Sequence, residues 1–463
     1  MTKTTKTRGD SKPGGNHKLE NLFISNIAEV YYKAYYNLPD DERKTHINYD
    51  LIEAERALVC LSDNKAVVVS TKPSQEYIDD LRQRIGYKNL VVLAPKRPTE
   101  RLSADIIEES GLLKKIVQII KDNPGIHLVP YYPTEEFFDL LSLLRQKNLQ
   151  FDTPETVYRE NRFIHHHHNC KIGFRTIWDK ALDYNSPIKI PQGFIVDDVE
   201  EAITAARWFY YKKKNFIFKY NRGASGVGIV FYNYKDLPQD EKAFKEYLLS
   251  RHQERIWYEE NFIVEEAIDR DRSFFDGTPS IEFKINGKVQ FSYICAQWIN
   301  AKGGFDGIYL GKELLDSNKL AIHDLIEDGA RFGEALKELG YRGIYDIDTV
   351  MGKNKQIYAV ESNMRRTGGT HVYELGKYLY GPNFLDKVCL TSRESLPIKK
   401  NINTYAKLFS LVKPLLFDKK KKYGIILVQP DAVVINQLGY IAIAPDKDSL
   451  FTLNENLKTL VSD

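Results

Sequence analysis

Apolar residues recur along the chain at two different periods, and the switches between them divide it into regions. Residues 1–18 carry Gly, Pro, Ser, Thr and Lys with no hydrophobic period, the composition of a disordered tail. Leu19, Leu22, Phe23, Ile27 and Val30 fall at helical spacing, which predicts a helix over 19–37. Between 55 and 150, short apolar runs at 57–61, 66–70, 90–94 and 126–130 alternate with helical stretches near 74–84, 104–121 and 134–147. Buried strands separated by helices predict a mostly parallel α/β sheet. Pro130 and Pro133, with Thr134 as an N-cap, punctuate its last strand and helix.

Residues 151–175 show no clear period and include the run His165-His166-His167-His168. A helix is expected to open near Asp179-Lys180 and to stop before Pro187. A strand at 193–196 and a helix over 198–211 follow. Three hairpins come next. The first joins 215–220 to 228–232 through a glycine-rich turn, and a helix over 240–250 and a strand within 261–268 succeed it. The second turns at Asn286-Gly287, a strong two-residue turn signal. After an amphipathic helix over 318–339, ended by Gly340, the third joins 341–351 to 356–363. A small α/β tail over 395–463 is expected to hold strands near 424–428, 432–436 and 440–444. No internal repeat emerges.

Composition narrows the function classes. At about 100–200 residues per domain, 463 residues suggest two to four domains. The 66 basic and 63 acidic side chains leave a formal charge of +3, too balanced to argue for nucleic acid or an anionic membrane surface. Lacking a basic stripe, the 29 tyrosines read as packing groups rather than base-stacking platforms. Cys60, Cys170, Cys295 and Cys389 form no CxxC pair and suit a reducing compartment. The polar, basic N-terminus is no secretory signal. No apolar run approaches the roughly 20 residues of a spanning helix. A cytoplasmic protein is expected.

Candidate chemistry concentrates in two hairpins. In the first, Lys219 ends a strand before Arg222-Gly223-Ala-Ser225-Gly226-Val-Gly228. Glycines let backbone N–H groups approach phosphate oxygens, although a bare turn would show the same pattern. No Gly-Lys-Ser/Thr follows, and a strand rather than a helix comes next, so neither a Walker A loop nor a Rossmann turn fits. In the third hairpin, Asp346 and Asp348 lie on one strand and Glu361, Asn363 and Arg365 on the next. Period-2 alternation places each set on one face. Carboxylates with an amide oxygen suit magnesium bound together with phosphates, and an arginine fork suits phosphoryl oxygens. Lys302-Gly-Gly-Phe-Asp306-Gly307 is a substrate loop or a simple connection, and Lys419 to Lys422 form a solvated turn. The four histidines, with only Cys170 beside them, make a poor metal site.

The order of these elements over 175–380 resembles the ATP-grasp superfamily: Lys180 in Asp-Lys, then strand–Lys219–glycine loop–strand, then Val264-Glu265-Glu266-Ala267-Ile268, then Glu361-x-Asn363-x-Arg365. The resemblance implies ATP with magnesium, or manganese as an alternative. It implies Lys180 and Lys219 on the nucleotide phosphates, and Arg222, Gly223, Ser225, Gly226 and Gly228 in a loop closing over them. Glu265, Glu266 and Ile268 would hold the adenine, with the backbone of Glu266 and Ile268 reading the base edge, and Asp271 would hold the ribose, with Asp269 as a competitor. Asp348, Glu361 and Asn363 would ligate the metal, with Arg365 and Lys219 catalytic. Arg365-Arg366-Thr367-Gly368-Gly369-Thr370-His371 is similar to the motif of peptide ligases with a pre-ATP-grasp domain, the pheganomycin ligase type. That group often shows Gly-Gly-Thr-Thr-His-Pro, which here is one threonine shorter and lacks the proline. Gly369, Thr370 and His371 would then meet substrate.

The implied fold is an N-terminal α/β pre-ATP-grasp domain over 19–174, an ATP-grasp fold of two α+β subdomains over 175–394, and a small C-terminal α/β extension. The implied activity is ligation of a carboxylate to an amine through an acyl phosphate. A carrier-protein thiol as acceptor, or a non-catalytic ATP-binding protein, are the alternatives. Small-molecule carboxylate and amine substrates, amino acids or peptides among them, would be the partners, with no nucleic acid and no membrane. Dimers are frequent in the superfamily, so a homodimer stands open.

Overall fold

The computed structural model describes residues 18–36, 38–182, 185–222, 228–252, 257, 260–300 and 303–462. The tail expected over 1–18 lies outside them except for Lys18, as do Gly223, Ser225 and Gly226 of the glycine loop and Lys302.

A five-stranded parallel sheet opens the fold. Its strands are β1 (Asn21–Ile24), β2 (Lys65–Val68), β3 (Leu90–Leu93), β4 (Ile126–Pro130) and β5 (Phe151–Asp152), in the order β3-β2-β1-β4-β5. The α/β class is as the alternating runs predict, but two elements are not. Leu22, Phe23 and Ile24 form the central strand rather than part of a helix, and the helix that follows is short, Ile27–Tyr31. A strand buried on both faces shows a continuous apolar run, which periodicity alone does not separate from a helix. For the same reason the run at 57–61 is not a strand: Ala54–Val59 is a buried 3-10 helix. The stretch expected as one helix over 104–121 is broken into Leu102–Glu108 and Ser110–Asp122.

A four-stranded antiparallel sheet follows: β6 (Gly193–Val196), β7 (Phe216–Tyr220), β8 (Ile229–Tyr232) and β9 (Phe262–Glu266), in the order β6-β9-β7-β8. It has its own aromatic core, in which Phe209, Phe216, Phe218, Trp257 and Phe262 are all buried. A separate core makes this lobe a packing unit distinct from the rest of the molecule.

The largest sheet is antiparallel and eight-stranded. Its strands are β10 (Pro279–Asn286), β11 (Lys288–Ile299), β12 (Phe305–Leu310), β13 (Gly343–Met351), β14 (Ile357–Glu361), β15 (Cys389–Pro397), β16 (Gly424–Gln429) and β17 (Gln437–Ala444). They run in the order β14-β13-β10-β11-β12-β15-β17-β16. The C-terminal strands therefore continue this sheet through β15–β17 pairing rather than standing apart. Pro130-type punctuation misleads at one further point: the run at 432–436 is a 3-10 helix, Pro430–Ile435, begun by a proline that cannot extend a ladder. Helix Lys319–Glu338 packs on β10 and β11, with Gly329 and Gly333 facing Phe283 and Tyr345 so closely that an added Cβ would clash. One continuous core joins this sheet to the parallel sheet. Among the described residues no helix is long and apolar enough to cross a membrane.

Candidate active site

The acid hairpin is built by β13 and β14. Asp348 stands opposite Glu361, although Thr349 stands opposite Ala359. The register shift makes Val360 an extra residue, and this bulge aims Glu361 across at Asp348. Beyond β14 the chain keeps to β13. The Asp346 N–H donates to the Asn363 carbonyl (3.1 Å), and the Asn363 N–H returns to Asp346 Oδ1 (2.7 Å). The Asn363 amide nitrogen also reaches Asp346 Oδ1 (3.1 Å) and Asp348 Oδ2 (3.3 Å), while its oxygen accepts from Arg365 Nη2 (3.0 Å). Gln297 on β11 donates to Asp348 Oδ1 at 2.8 Å. The predicted group, Asp346 included, is thus assembled, with Gln297 added to it.

This cluster fits a divalent cation delivered with phosphate. Burial, and then the facing Glu361, push the Asp348 carboxyl up to about 6. Burial and Asp348 likewise raise Asp346. Carboxylates crowded together out of water are relieved by an added positive charge. Among the described residues no three His, Cys, Asp or Glu side chains are arranged to hold a metal by themselves.

The lysines correct one expectation. Lys180 does not open a helix. It lies exposed in the last turn of helix Lys171–Ala181, whose N-terminus is capped by Cys170, its Sγ accepting from Gly173 N–H at 3.4 Å. Lys171 opens that helix, is buried, and sets its ammonium 3.1 Å from Glu361 Oε1. The signal was present in the sequence: Phe174, Ile177 and Trp178 are the buried face and extend the helical period upstream of Asp179. Four residues on from Lys171, on the same helix face, Arg175 meets Glu265 at 2.8 Å. One helix therefore touches the acid hairpin of the large sheet and β9 of the small one.

Lys219 is the next-to-last residue of β7 and pairs with Glu265. Ile217 is the register partner of Glu265, so Lys219 lies diagonally across on the same face. Glu265 thus sits between Lys219 and Arg175, drawn from three different elements. Glu266 turns the other way, to Lys214 (2.7 Å). Its backbone N–H is committed to the Gln192 carbonyl (2.8 Å), and that of Ala267 to Asn215 (2.9 Å). Ile268 follows directly, half-buried, in the stretch leading to Asp271. The Asp271 carboxylate is held by Lys355 and the Ser273 N–H (2.9 Å), which turns it towards the far end of the third hairpin. Arg222 is exposed and donates to the His166 carbonyl (2.7 Å). Gly228 has φ +76°, and a Cβ there would lie 1.8 Å from the Tyr220 ring, so this turn requires glycine.

The residues after Arg365 are more deeply buried than expected. Helix Thr370–Tyr380 begins directly after Gly369, where a Cβ would meet the Tyr293 hydroxyl at 2.3 Å. The Thr370 hydroxyl donates to Glu282, as do Thr367 (3.0 Å) and Tyr293 (3.1 Å). Burial pushes the Glu282 carboxyl up to about 7, against the pull of these hydroxyls. A raised folded-state pKa stabilises the protonated fold below about 4.5, and this contribution is lost as pH rises towards 7. Glu282→Gln mimics the neutral acid, so it should flatten the fall in thermal midpoint between pH 5 and 8. An unchanged pH profile would refute the assignment. His371 is only 2% exposed. The histidine run divides: His165 packs between Tyr132 and Tyr341, and His166 Nε2 lies 2.9 Å from Glu135.

Sequence reasoning also missed Arg366. It is buried between Glu155 (2.9 Å), from a distant segment, and Glu374 (2.8 Å), eight residues further along the chain. Only the tertiary fold brings these together.

Comparison with known proteins agrees with this architecture. Residues 54–145 match the family model described as the pre-ATP-grasp domain. No curated protein matches the chain by sequence. Among solved structures, a Campylobacter jejuni biotin carboxylase in complex with β,γ-ATP aligns with TM-score 0.56 at 12% identity, over 96% of this chain and 91% of that one. The ADP complex of PurK, N5-carboxyaminoimidazole ribonucleotide synthetase, gives 0.50 at 11% identity over 95% and 96%. The biotin carboxylase domain dimer of Hydrogenobacter thermophilus 2-oxoglutarate carboxylase, holding MgADP, ADP and bicarbonate, gives 0.50 at 11% over 96% and 91%. At such identities the likeness carries the fold alone. The chain accordingly has the ATP-grasp fold, and its N-terminal parallel sheet contains the stretch that matches the pre-ATP-grasp domain.

Proposed function

We propose that this protein is an ATP- and magnesium-dependent ligase that activates a carboxylate as an acyl phosphate and transfers the acyl group to an amine. The observation that carries this reading is the convergence on Glu361: Asp348 faces it, Lys171 pairs with it, and Asn363 links the pair to Arg365. The ADP and ATP-analogue complexes of the structural neighbours support a nucleotide in the same fold. Magnesium would be held by Asp348 and Glu361, and by Asn363 once its amide oxygen turns from Arg365, and would neutralise charge on the phosphate oxygens. Lys171 and Lys219 would bind those oxygens once released from Glu361 and Glu265. Ile268 and the Glu266 carbonyl would take the adenine edge. Arg365 would face the phosphoryl group in transfer, where positioning and fixed charge are most of what a protein supplies.

In the reaction, a carboxylate oxygen bonds to the γ-phosphorus as the bond to ADP breaks. An amine then attacks the acyl carbon, phosphate leaves, and the amine proton passes to solvent. The amine is favoured over a carrier thiol by the acidic residues beside Arg365 described below.

The test is ADP release against a panel of amino acids and small carboxylic acids, with hydroxylamine to trap acyl phosphate. Amine and carrier-thiol acceptors are compared in parallel. Hydroxamate formation with amide product is expected. Tight ATP binding with no ADP from any carboxylate would reject the ligase in favour of a binding protein. Within that assay, Lys171→Ala should raise the KM for ATP about tenfold to a hundredfold, the ~1.5–3 kcal/mol of a charge-assisted hydrogen bond. Lys180→Ala should leave it unchanged.

A further inference from the structure

The parallel sheet contributes a second charged cluster to the site, beside Arg365. Tyr31 and Tyr131, joined through their hydroxyls at 3.3 Å, place their rings 5.9 and 5.4 Å from the Arg365 guanidinium. Arg56 donates to the Tyr131 hydroxyl (3.3 Å) and to Glu394 on β15 (2.8 Å), and also pairs with Glu53. Two carboxylates therefore share one guanidinium. The next acid, Asp306, is already taken by Arg393 (2.8 Å) and Ser395 (3.2 Å).

Three further features bear on this cluster. Glu53 and Glu394 keep 10% and 13% of their side-chain surface exposed. Gly368 packs against the Phe305 ring beside Glu394: a Cβ there would lie 2.4 Å from Phe305 and 3.1 Å from Glu394 Oε1. His371, 2% exposed and close enough to Arg56 to feel its charge, has a ring Nδ1 with no hydrogen-bond partner among the described residues. Burial, together with Glu53 and Asp306, holds the Glu394 carboxyl up at about 8 even against Arg56. Near neutral pH Glu394 therefore keeps a proton, and a bound cation can take the place of that proton.

We propose that Glu53 and Glu394 bind the primary ammonium of an amine-bearing substrate, an amino acid or a peptide amino terminus, beside Arg365. The ammonium balances the second carboxylate, and Arg365 is left for the anionic group at the reacting end. The orientation of the bound group rests on the ligase reading of Arg365; recognition of the ammonium does not.

The test is isothermal titration of the full chain, with MgADP present, against the common amino acids, their N-acetyl derivatives and their methyl esters. At least one free-amine compound should bind about tenfold or more tighter than its N-acetyl form, as loss of a charge-assisted contact requires. Glu394→Gln and Glu53→Gln should abolish that preference while MgADP still raises the thermal midpoint. A preference shared by the esters assigns the site to the acceptor amine, and one confined to free acids assigns it to the donor. Equal binding of N-acetyl forms, no free-amine ligand at all, or variants that keep the preference would overturn the proposal. The wild-type comparison stands even if a buried variant misfolds. An ammonium preference without ADP release rejects the ligase alone, and ADP release equally fast with N-acetyl compounds rejects the ammonium site alone.

Discussion

Arg365→Ala should lower the rate of ADP formation by about a hundredfold to a thousandfold, the loss that follows removal of one preorganised donor to developing charge. The side chain is held from several directions. Asn363 Oδ1 accepts from Nη2 at 3.0 Å, the Arg366 carbonyl accepts from Nη1 at 2.9 Å, and two tyrosine rings flank the guanidinium. Such a fork needs little reorganisation when charge moves past it. Arg365→Lys keeps the charge but loses the planar fork and the stacking, so it should recover little of the rate. Steady-state ADP release is the measurement, with circular dichroism to show that the fold persists. Turnover within tenfold of wild type in Arg365→Ala would remove Arg365 from the catalytic group.

Arg366→Ala should act on stability instead. Breaking a buried ion pair by removing one partner costs about 3–5 kcal/mol, because the other charge is left unpaired. Glu155 would keep Lys284 (2.7 Å), which places the expected loss at the lower end of that range, and Glu374 would keep only its contact with the Leu61 N–H (2.7 Å). Burial would raise the Glu155 carboxyl, but Arg366, and then Lys284, hold it down to about 2. A depressed folded-state pKa gives stability that is present above the ordinary value of 4.5 and is lost as pH falls towards 2. Thermal midpoints should therefore separate wild type from Arg366→Ala most at neutral pH and converge in acid. A constant gap down to pH 2 would show that Glu155 is not the partner that matters. Adjacent arginines are thus placed differently: Arg365 lies beside the acid hairpin, bonded to Asn363, and Arg366 ties the following loop to Glu155 and Glu374.

Some of the site was legible because its signals are local. Asp348, Glu361, Asn363 and Arg365 come from one hairpin, and strand alternation shows that such residues can share a face. The alternation was not sufficient in detail, since the bulge at Val360 sets which acid Glu361 meets. Lys219 is legible from its place near a strand end with glycines after it, but its pairing with Glu265 is not, because contact across β7 and β9 is invisible in sequence. Lys180 was chosen for the Asp-Lys pair. Lys171 opens the helix that the period upstream of Asp179 marks, and only the tertiary structure shows its contact with Glu361. Thr370 and His371 were expected to face substrate, and the packing of their helix turns them inward.

By itself, the sequence determined the parallel α/β sheet, the three hairpins and the acid-bearing strand pair, because each follows from hydrophobic period and turn chemistry within some thirty residues. The tertiary structure alone decided which apolar runs are strands and which are helices, since burial on all sides erases the period. It also decided the partners of charged groups far apart in the chain: Glu155 with Arg366, Arg56 with Glu394, Lys171 with Glu361. The strength of a charged pair depends on how far burial removes it from water, and burial is a property of the folded chain.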